Sequence, residues 1–65
     1  MLNKLKAMDH VETTKLCIER IEALVDTYER NQNPNALKDC YSYLKKAETT
    51  LDYLYDILDT QSQEN

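Results

Sequence analysis

Glycine is absent from this 65-residue chain, and proline occurs only once. Without glycine, the tight turns of β-hairpins and the glycine-rich loops that bind phosphate are largely excluded. The sequence is instead rich in Leu, Ala, Glu, Lys and Gln, which favour helix. We therefore predict an all-α fold in a single domain, because a chain of this length can bury only one small core.

Basic charge and long apolar runs are also scarce. The 8 Lys and Arg residues stand against 12 Asp and Glu residues, for a formal charge of −4. This balance argues against a nucleic-acid-binding role, because such a surface must neutralise phosphates. No apolar run approaches the ~20 residues of a membrane span, and the N-terminus is too short and interrupted for a secretory signal. We expect a location in the bacterial cytoplasm, with reduced thiols.

The single proline divides the chain into two helices. Asn33 is suited to cap a helix that has Pro34 at its first position, where the missing N–H costs nothing. Asn31 is expected to adopt the left-handed conformation that ends the preceding helix. We predict an antiparallel two-helix hairpin with coiled-coil-like packing over residues 1–59. It has helix one at about 10–31, a turn at 31–35 and helix two at about 34–59.

The two ends of the chain are predicted separately. Residues 2–8 form a short N-terminal helical segment that fills the overhang of helix two, with Lys4 and Lys6 near the acidic end of that helix. Asp9 and Glu12 are a plausible capping pair for helix one. The polar residues 60–65 lack periodicity, so we predict a disordered tail.

Both helices carry apolar residues at alternating steps of three and four, which is typical of helices that pack together. The seam predicted for helix one consists of Val11, Thr14, Ile18, Ile21, Val25 and Tyr28, widened by Cys17 and Leu24. The seam predicted for helix two consists of Leu37, Cys40, Leu44, Ala47, Leu51, Leu54 and Leu58. A charge at Leu44 or Leu51 is accordingly expected to abolish folding.

Catalytic chemistry is not indicated by the residues present. His10 is the single histidine and lacks partners at metal-ligand spacing. In the predicted hairpin Cys17 and Cys40 are offset by about 12 Å along the axis, which is too far for a disulfide. No nucleophile, base and orienting group can be assembled. We predict a protein that is not an enzyme and has no catalytic, cofactor or metal site.

Several apolar side chains fall outside the predicted seams. Aromatic residues are enriched at protein interfaces, and a two-helix unit has little core of its own. We predict that the chain binds a partner through these off-seam positions. They are Leu5, Leu16, Tyr41, Tyr43, Tyr53 and Ile57.

The chain resembles a known family over nearly its whole length. The pattern is a short apolar segment (LNKLKAM, 2–8), then DHVETTKL (9–16), a helix ending in IEALV (21–25), a break, and YSYLKKAETTL (41–51) leading into LYDIL (54–58). It is similar to the small helical-hairpin chaperones of type III secretion systems, of the YscE/PscE/EscE kind. The resemblance implies a cytoplasmic co-chaperone. Such a protein binds a larger helical-repeat chaperone and keeps the secretion needle subunit, or a translocator, soluble and unpolymerised before export.

Other functions fit the same pattern. The first alternative is a self-associating four-helix-bundle regulator, of the RNA-binding kind, since the broad apolar stripe of helix two suits a homodimer equally well. A second is a secreted needle subunit, although the polar C-terminal residues are unlike a polymerising end. A phage or antitoxin-type inhibitor is the last.

Overall fold

The computed structural model describes the backbone of residues 2–63 and the side chains of residues 2–61. Over this range the chain forms two α-helices, α1 at Lys4–Asn31 and α2 at Pro34–Gln63. The helices pack against each other as an antiparallel hairpin with Cα extents of 51 × 15 × 11 Å. The predicted all-α helical hairpin is therefore confirmed. Neither described helix has the length and hydropathy that a membrane-spanning segment requires.

The first helix begins earlier than predicted. Asn3 caps α1, and its side-chain oxygen accepts a hydrogen bond from the Lys6 N–H at 3.1 Å. The capping role assigned to Asp9 is wrong, as is the separate segment at 2–8, because residues 4–9 are the first turns of α1 itself. No proline or glycine interrupts these residues, so nothing in the backbone stops the helix from extending to Asn3.

The connection between the helices is two residues long. Gln32, not Asn31 as predicted, takes the left-handed conformation (φ 51°, ψ 35°), and its N–H donates to the Tyr28 carbonyl at 2.6 Å. Asn33 then accepts a hydrogen bond from the Asn35 N–H at 2.9 Å, and α2 begins at Pro34. The predicted Asn-Pro start of helix two is confirmed, whereas α1 runs through Asn31 before it ends.

The second helix continues past its predicted end at residue 59. It runs to Gln63, so residues 60–63 are helical and not part of a disordered tail. Residues 64 and 65 of that predicted tail lie outside the described residues. Gln61 is half-buried and lines a groove with Leu2. The two helices are therefore similar in length, and the predicted overhang of helix two is filled by the start of α1.

Small side chains form the seam between the helices. Steps of three and four connect the seam residues of both helices, as in a heptad repeat. In α1 these are Ala7, His10, Thr14, Cys17, Ile21 and Leu24. In α2 they are Ala36, Cys40, Tyr43, Ala47, Thr50, Leu54, Ile57 and Gln61. The most buried members are Ala7, Cys17, Ala36, Cys40, Ala47 and Thr50. Among the described side chains, no large one is fully buried.

This seam differs from the predicted one by a rotation of each helix. Cys40, Ala47 and Leu54 belong to both versions, but Leu44 and Leu51 are about half exposed, as are Ile18 and Val25 on α1. Alanine, cysteine and threonine occupy much of the contact line, so the backbones can approach closely. The larger aliphatic side chains are then left at the edge of the contact. The expectation that a charge at Leu44 or Leu51 abolishes folding of the hairpin is therefore withdrawn.

Candidate interaction surface

One side of the hairpin carries a continuous row of aliphatic side chains. Each of these residues directly follows a seam residue of its own helix. The two helices are antiparallel and have the same hand, so this step leads to the same side of the hairpin on both. We call this surface the leucine face. It consists of Val11, Ile18 and Val25 on α1 and Leu37, Leu44, Leu51 and Leu58 on α2.

The leucine face is open to solvent along most of its length. Five of its seven members have exposed fractions between 46% and 54%, and the other two, Val11 and Leu37, are partly buried. Single exposed aliphatic residues are ordinary on a protein surface, but a contiguous apolar stripe along two helices marks an interaction site. The same stripe completes the pattern of seam positions plus one flank that helices show inside a bundle.

Six of the seven residues of the leucine face lie in pairs at equal height; Leu58 is the seventh. His10 on α1 lies beside Thr50 and Tyr53 on α2, which fixes the relative height of the two helices. Because the helices are antiparallel, a height between these two contacts makes Val11 level with Leu51 to within about one residue. Seven residues later on α1, and seven residues earlier on α2, the level pairs are Ile18 with Leu44 and then Val25 with Leu37. We call each such pair a rung; three rungs are spaced about 10 Å apart at ~1.5 Å per residue.

Larger and more flexible apolar side chains border the leucine face. Tyr41 and Tyr55 lie four residues after Leu37 and Leu51 on α2, and Met8 lies three residues before Val11 on α1. All three are exposed. Helical neighbours at three and four residues share a face, so these side chains widen the apolar surface at its outer edges. Lys15, Glu22 and Glu48 occupy the matching border positions and give the surface a partly charged rim.

The opposite side of the hairpin is polar and grooved; we call it the polar face. The His10 Nδ1 lies 3.2 Å from the Thr50 hydroxyl, which also donates to the His10 carbonyl at 3.4 Å. The Tyr53 ring lies 5.5 Å from the imidazole. Next to this cluster, Lys46 approaches the Tyr43 ring at 5.6 Å. The His10 contacts join the two helices and set their register, whereas the Lys46–Tyr43 contact lies within α2.

The six predicted interface residues do not form one surface. Leu16 is exposed on the polar side and shares a groove with Tyr43, while Tyr53 lines the next groove with His10. Leu5 points away from both faces and is 82% exposed.

Two of these six residues belong to the seam. Tyr43 and Ile57 are partly buried between the helices, so their predicted outward position beside the seam is wrong. Tyr41 alone borders the leucine face. The signal that sequence reasoning missed was the second stripe of α2, since its leucines were assigned to the seam.

Charged groups on the hairpin are mostly solvated. Lys15 lies 3.8 Å from Glu12 and Arg30 pairs with Asp26, each within one helix and exposed. Exposed pairs of this kind contribute ~0–1 kcal/mol. Lys6 and Asp56 line one groove at the open end of the hairpin, as expected for docking of the N-terminal lysines there.

Metal-ligating side chains are dispersed over the hairpin. Within the described part of the chain, no group of three His, Cys, Asp or Glu residues could hold a metal ion. Cys17 and Cys40 are both buried in the seam as free thiols. Within the described part of the chain, the leucine face is the candidate surface for binding another protein.

Comparisons of the chain with protein-family models, with curated proteins and with solved structures found no match.

Proposed function

We propose that this chain is a binding protein without enzymatic activity that covers amphipathic helices of another protein with its leucine face. The observation that carries the proposal is the solvent exposure of that face. Its three rungs leave aliphatic side chains about half exposed on a hairpin whose own seam is built from small residues. Burial of such side chains contributes about 1.5–3 kcal/mol each when complete, so a partner that covers them gains affinity from several at once.

The shape of the face indicates the kind of partner. The two aliphatic stripes run along the hairpin axis, one on each side of the seam. An amphipathic helix fits such a surface by placing its residues at steps of three and four against both stripes. A partner with one or two exposed apolar helices therefore suits the face better than an extended strand or a small molecule.

The resemblance to type III secretion co-chaperones gives this proposal a specific form. In that form the chain acts in the bacterial cytoplasm and binds a larger helical-repeat chaperone. The pair keeps a needle subunit, or a translocator, soluble before export. The supporting physical argument is that a subunit which polymerises through amphipathic helices stays soluble when those helices are covered.

The test is co-expression of the chain with a helical-repeat chaperone and a needle subunit of a secretion system from its own host. We expect a stable complex with one copy of each protein, measured by light scattering, and a needle subunit that stays soluble. Ile18→Glu should prevent assembly, because it places a charge in the centre of the leucine face.

The matched control is Leu16→Glu, on the same helix and 60% exposed, but on the polar side. It should leave the complex intact. If the chain recruits neither protein, or if both variants assemble equally well, the proposed role is refuted.

The regulator of the RNA-binding kind receives less support as a second function. The grooves of the polar face carry the cations Lys6, Arg20, Lys45 and Lys46, and Glu19 and Asp56 lie among them. This leaves no basic stripe to follow a phosphate backbone.

A further inference from the structure

The isolated hairpin buries little apolar surface for its size. Its buried residues, among those that the structure describes, are three alanines, two cysteines and a threonine, and each of these side chains contributes little hydrophobic free energy. Small domains normally need a staple, a metal or a partner chain to offset the entropy of ordering. Both thiols are free. The remaining source of stabilisation is association, and the leucine face is the surface that supplies it.

We propose that two copies of the chain pack through their leucine faces into an antiparallel four-helix bundle, and that a partner protein must displace one copy to bind. The first half stands on the hairpin alone. The second half rests on the proposed function, because both occupants use the same face. In the bundle each helix has two neighbours, which is the arrangement expected for helices with apolar seam positions and one apolar flank.

The spacing of the rungs makes the face self-complementary. When a two-fold axis runs parallel to the helices through the interface, α1 of one copy lies over α2 of the second copy at the same height. Ile18 then covers Leu44 of the second copy, Val11 covers Leu51 and Val25 covers Leu37. Each of the three rungs meets a rung of the second copy, so none of their six aliphatic side chains lies opposite a polar side chain.

The border residues are complementary in the same arrangement. Lys15 is level with Glu48 of the second copy, and the symmetry supplies this opposite-charge pair twice. Glu22 is level with Tyr41 of the second copy, whose hydroxyl can donate to the carboxylate. Met8 is level with Tyr55 of the second copy, and a thioether next to an aromatic ring is favourable. These three matches follow from the height at which the Tyr53 ring lies beside His10.

An axis perpendicular to the helices fits less well. It would place Tyr55 against the turn at Pro34 of the second copy and Met8 against Glu29. The parallel axis pairs all the border positions, and in both arrangements neighbouring helices run antiparallel. The perpendicular axis still pairs Lys15 with Glu22 and Glu48 with Tyr41 of the second copy. The contact between Met8 and Tyr55 is therefore what favours the first arrangement.

The area of the face is sufficient for a dimer that can still dissociate. Leu37 to Leu58 spans roughly 32 Å at ~1.5 Å per residue, and two adjacent helices are roughly 20 Å wide. Each copy thus contributes about 600 Å², and the dimer buries about 1,200 Å² in total, the lower end of the range for stable interfaces. A partner with a larger apolar surface can displace a copy held by an interface of this size.

The dimer is tested on the purified full chain by sedimentation equilibrium over a concentration series. We expect a species of twice the 7.7 kDa chain mass that dissociates on dilution. Ile18→Glu should weaken the dimer by about 100-fold or more, because each copy would bury an unpaired carboxylate against Leu44 of the second copy. The control Leu16→Glu should leave the dissociation constant unchanged. A monomer at all concentrations, or an equal effect of both variants, would overturn the proposal.

The arrangement is tested by charge exchange. Lys15→Glu and Glu48→Lys should each weaken the dimer about tenfold, because two like-charge contacts replace two favourable ones. The double variant should restore the dissociation constant of the native chain to within about threefold. If Glu48→Lys alone has no effect, the axis parallel to the helices is wrong.

The displacement step has its own measurement. In the co-expression experiment, a complex that retains two copies of the chain would overturn displacement while supporting the proposed function. A dimer that forms but recruits neither secretion protein would refute the proposed function while leaving the homodimer intact. The two failures are thus distinguishable.

Discussion

Removal of the Asn3 side chain tests where the first helix begins. In the hairpin the Asn3 oxygen accepts the Lys6 N–H at 3.1 Å and satisfies one of the N–H groups that have no partner within α1. Replacing an asparagine cap with alanine costs ~1 kcal/mol. For a domain of this size that corresponds to a fall of about 4–8 °C in the melting temperature. Asn3→Ala should therefore lower the free energy of unfolding by ~1 kcal/mol.

Asp9→Ala is the matched comparison. Asp9 lies in the second turn of α1, where alanine has the higher helix propensity, so this variant should unfold at the same or a slightly higher urea concentration. If the helix began near residue 10, the ranking would reverse, because Asp9 would then be the cap. Both variants are measured by urea unfolding at one fixed chain concentration, since association adds to the apparent stability.

Hydrogen exchange gives a second and independent measurement. The amides of residues 7–9 are bonded within α1 in the native chain and should be protected. Asn3→Ala should increase their exchange while leaving the amides near Cys17 unchanged, because fraying is confined to the first turns. A native chain in which residues 7–9 exchange as fast as an unfolded peptide would refute the placement of the helix start.

Three further predictions concern the turn and the seam, and each is measured by urea unfolding. Gln32→Gly should raise the free energy of unfolding by about 0.5 kcal/mol, because glycine adopts a left-handed conformation without steric cost. Asn31→Gly, at a helical position, should lower the free energy of unfolding. If Asn31→Gly stabilises the hairpin and Gln32→Gly destabilises it, Asn31 is the left-handed residue. Thr50→Val should lower the free energy of unfolding by about 1 kcal/mol through loss of the hydroxyl contacts to His10. Thr49→Val, at the exposed neighbouring position, should change it by less than about 0.5 kcal/mol. Equal effects of the two variants would contradict the contact between Thr50 and His10. Ala47→Leu should cost about 1–3 kcal/mol by overpacking the seam, and an increase in stability would show that the helices lie further apart than described.

Local chemistry explains which parts of the fold could be predicted from the sequence. The Asn33–Pro34 pair specifies a cap and a first helical position, and no other residue of the chain competes for that role. The start of α1 lacked such a unique signal. Asn3 and Asp9 are both good caps, and Glu12, three residues after Asp9, completed the rule for a capping pair. The choice between them depended on the packing of Ala7 against α2, which a local pattern does not contain.

The end of α2 was misplaced for a related reason. Thr60 and Gln61 are polar, so an argument from hydrophobic periodicity stops at Leu58. The seam itself continues, because Gln61 follows Leu54 and Ile57 at the next step of four and lies beside Leu2. A helix that has a neighbour to pack against can extend through polar residues that would not form a helix alone.

The rotation of the seam is the difference that matters for function. Two stripes overlap on α2, one containing Ala36, Tyr43, Thr50 and Ile57 and the other Leu37, Leu44, Leu51 and Leu58, and both share Cys40, Ala47 and Leu54. Hydrophobicity alone selects the leucines for the seam, and this choice leaves Tyr43 and Ile57 as apparent interface residues. The hairpin instead places the smaller residues in the seam.

Both stripes of α2 are needed to explain its composition. A helix with one neighbour needs a single apolar stripe, and a second stripe of leucines on its surface would lower solubility without stabilising the hairpin. The second stripe lies on the same side as Val11, Ile18 and Val25 of α1, so the surplus is shared by both helices and aligned in height. Such alignment is expected when other helices cover that side. The alignment of the exposed leucines on one side of both helices is therefore the observation on which the proposed dimer depends.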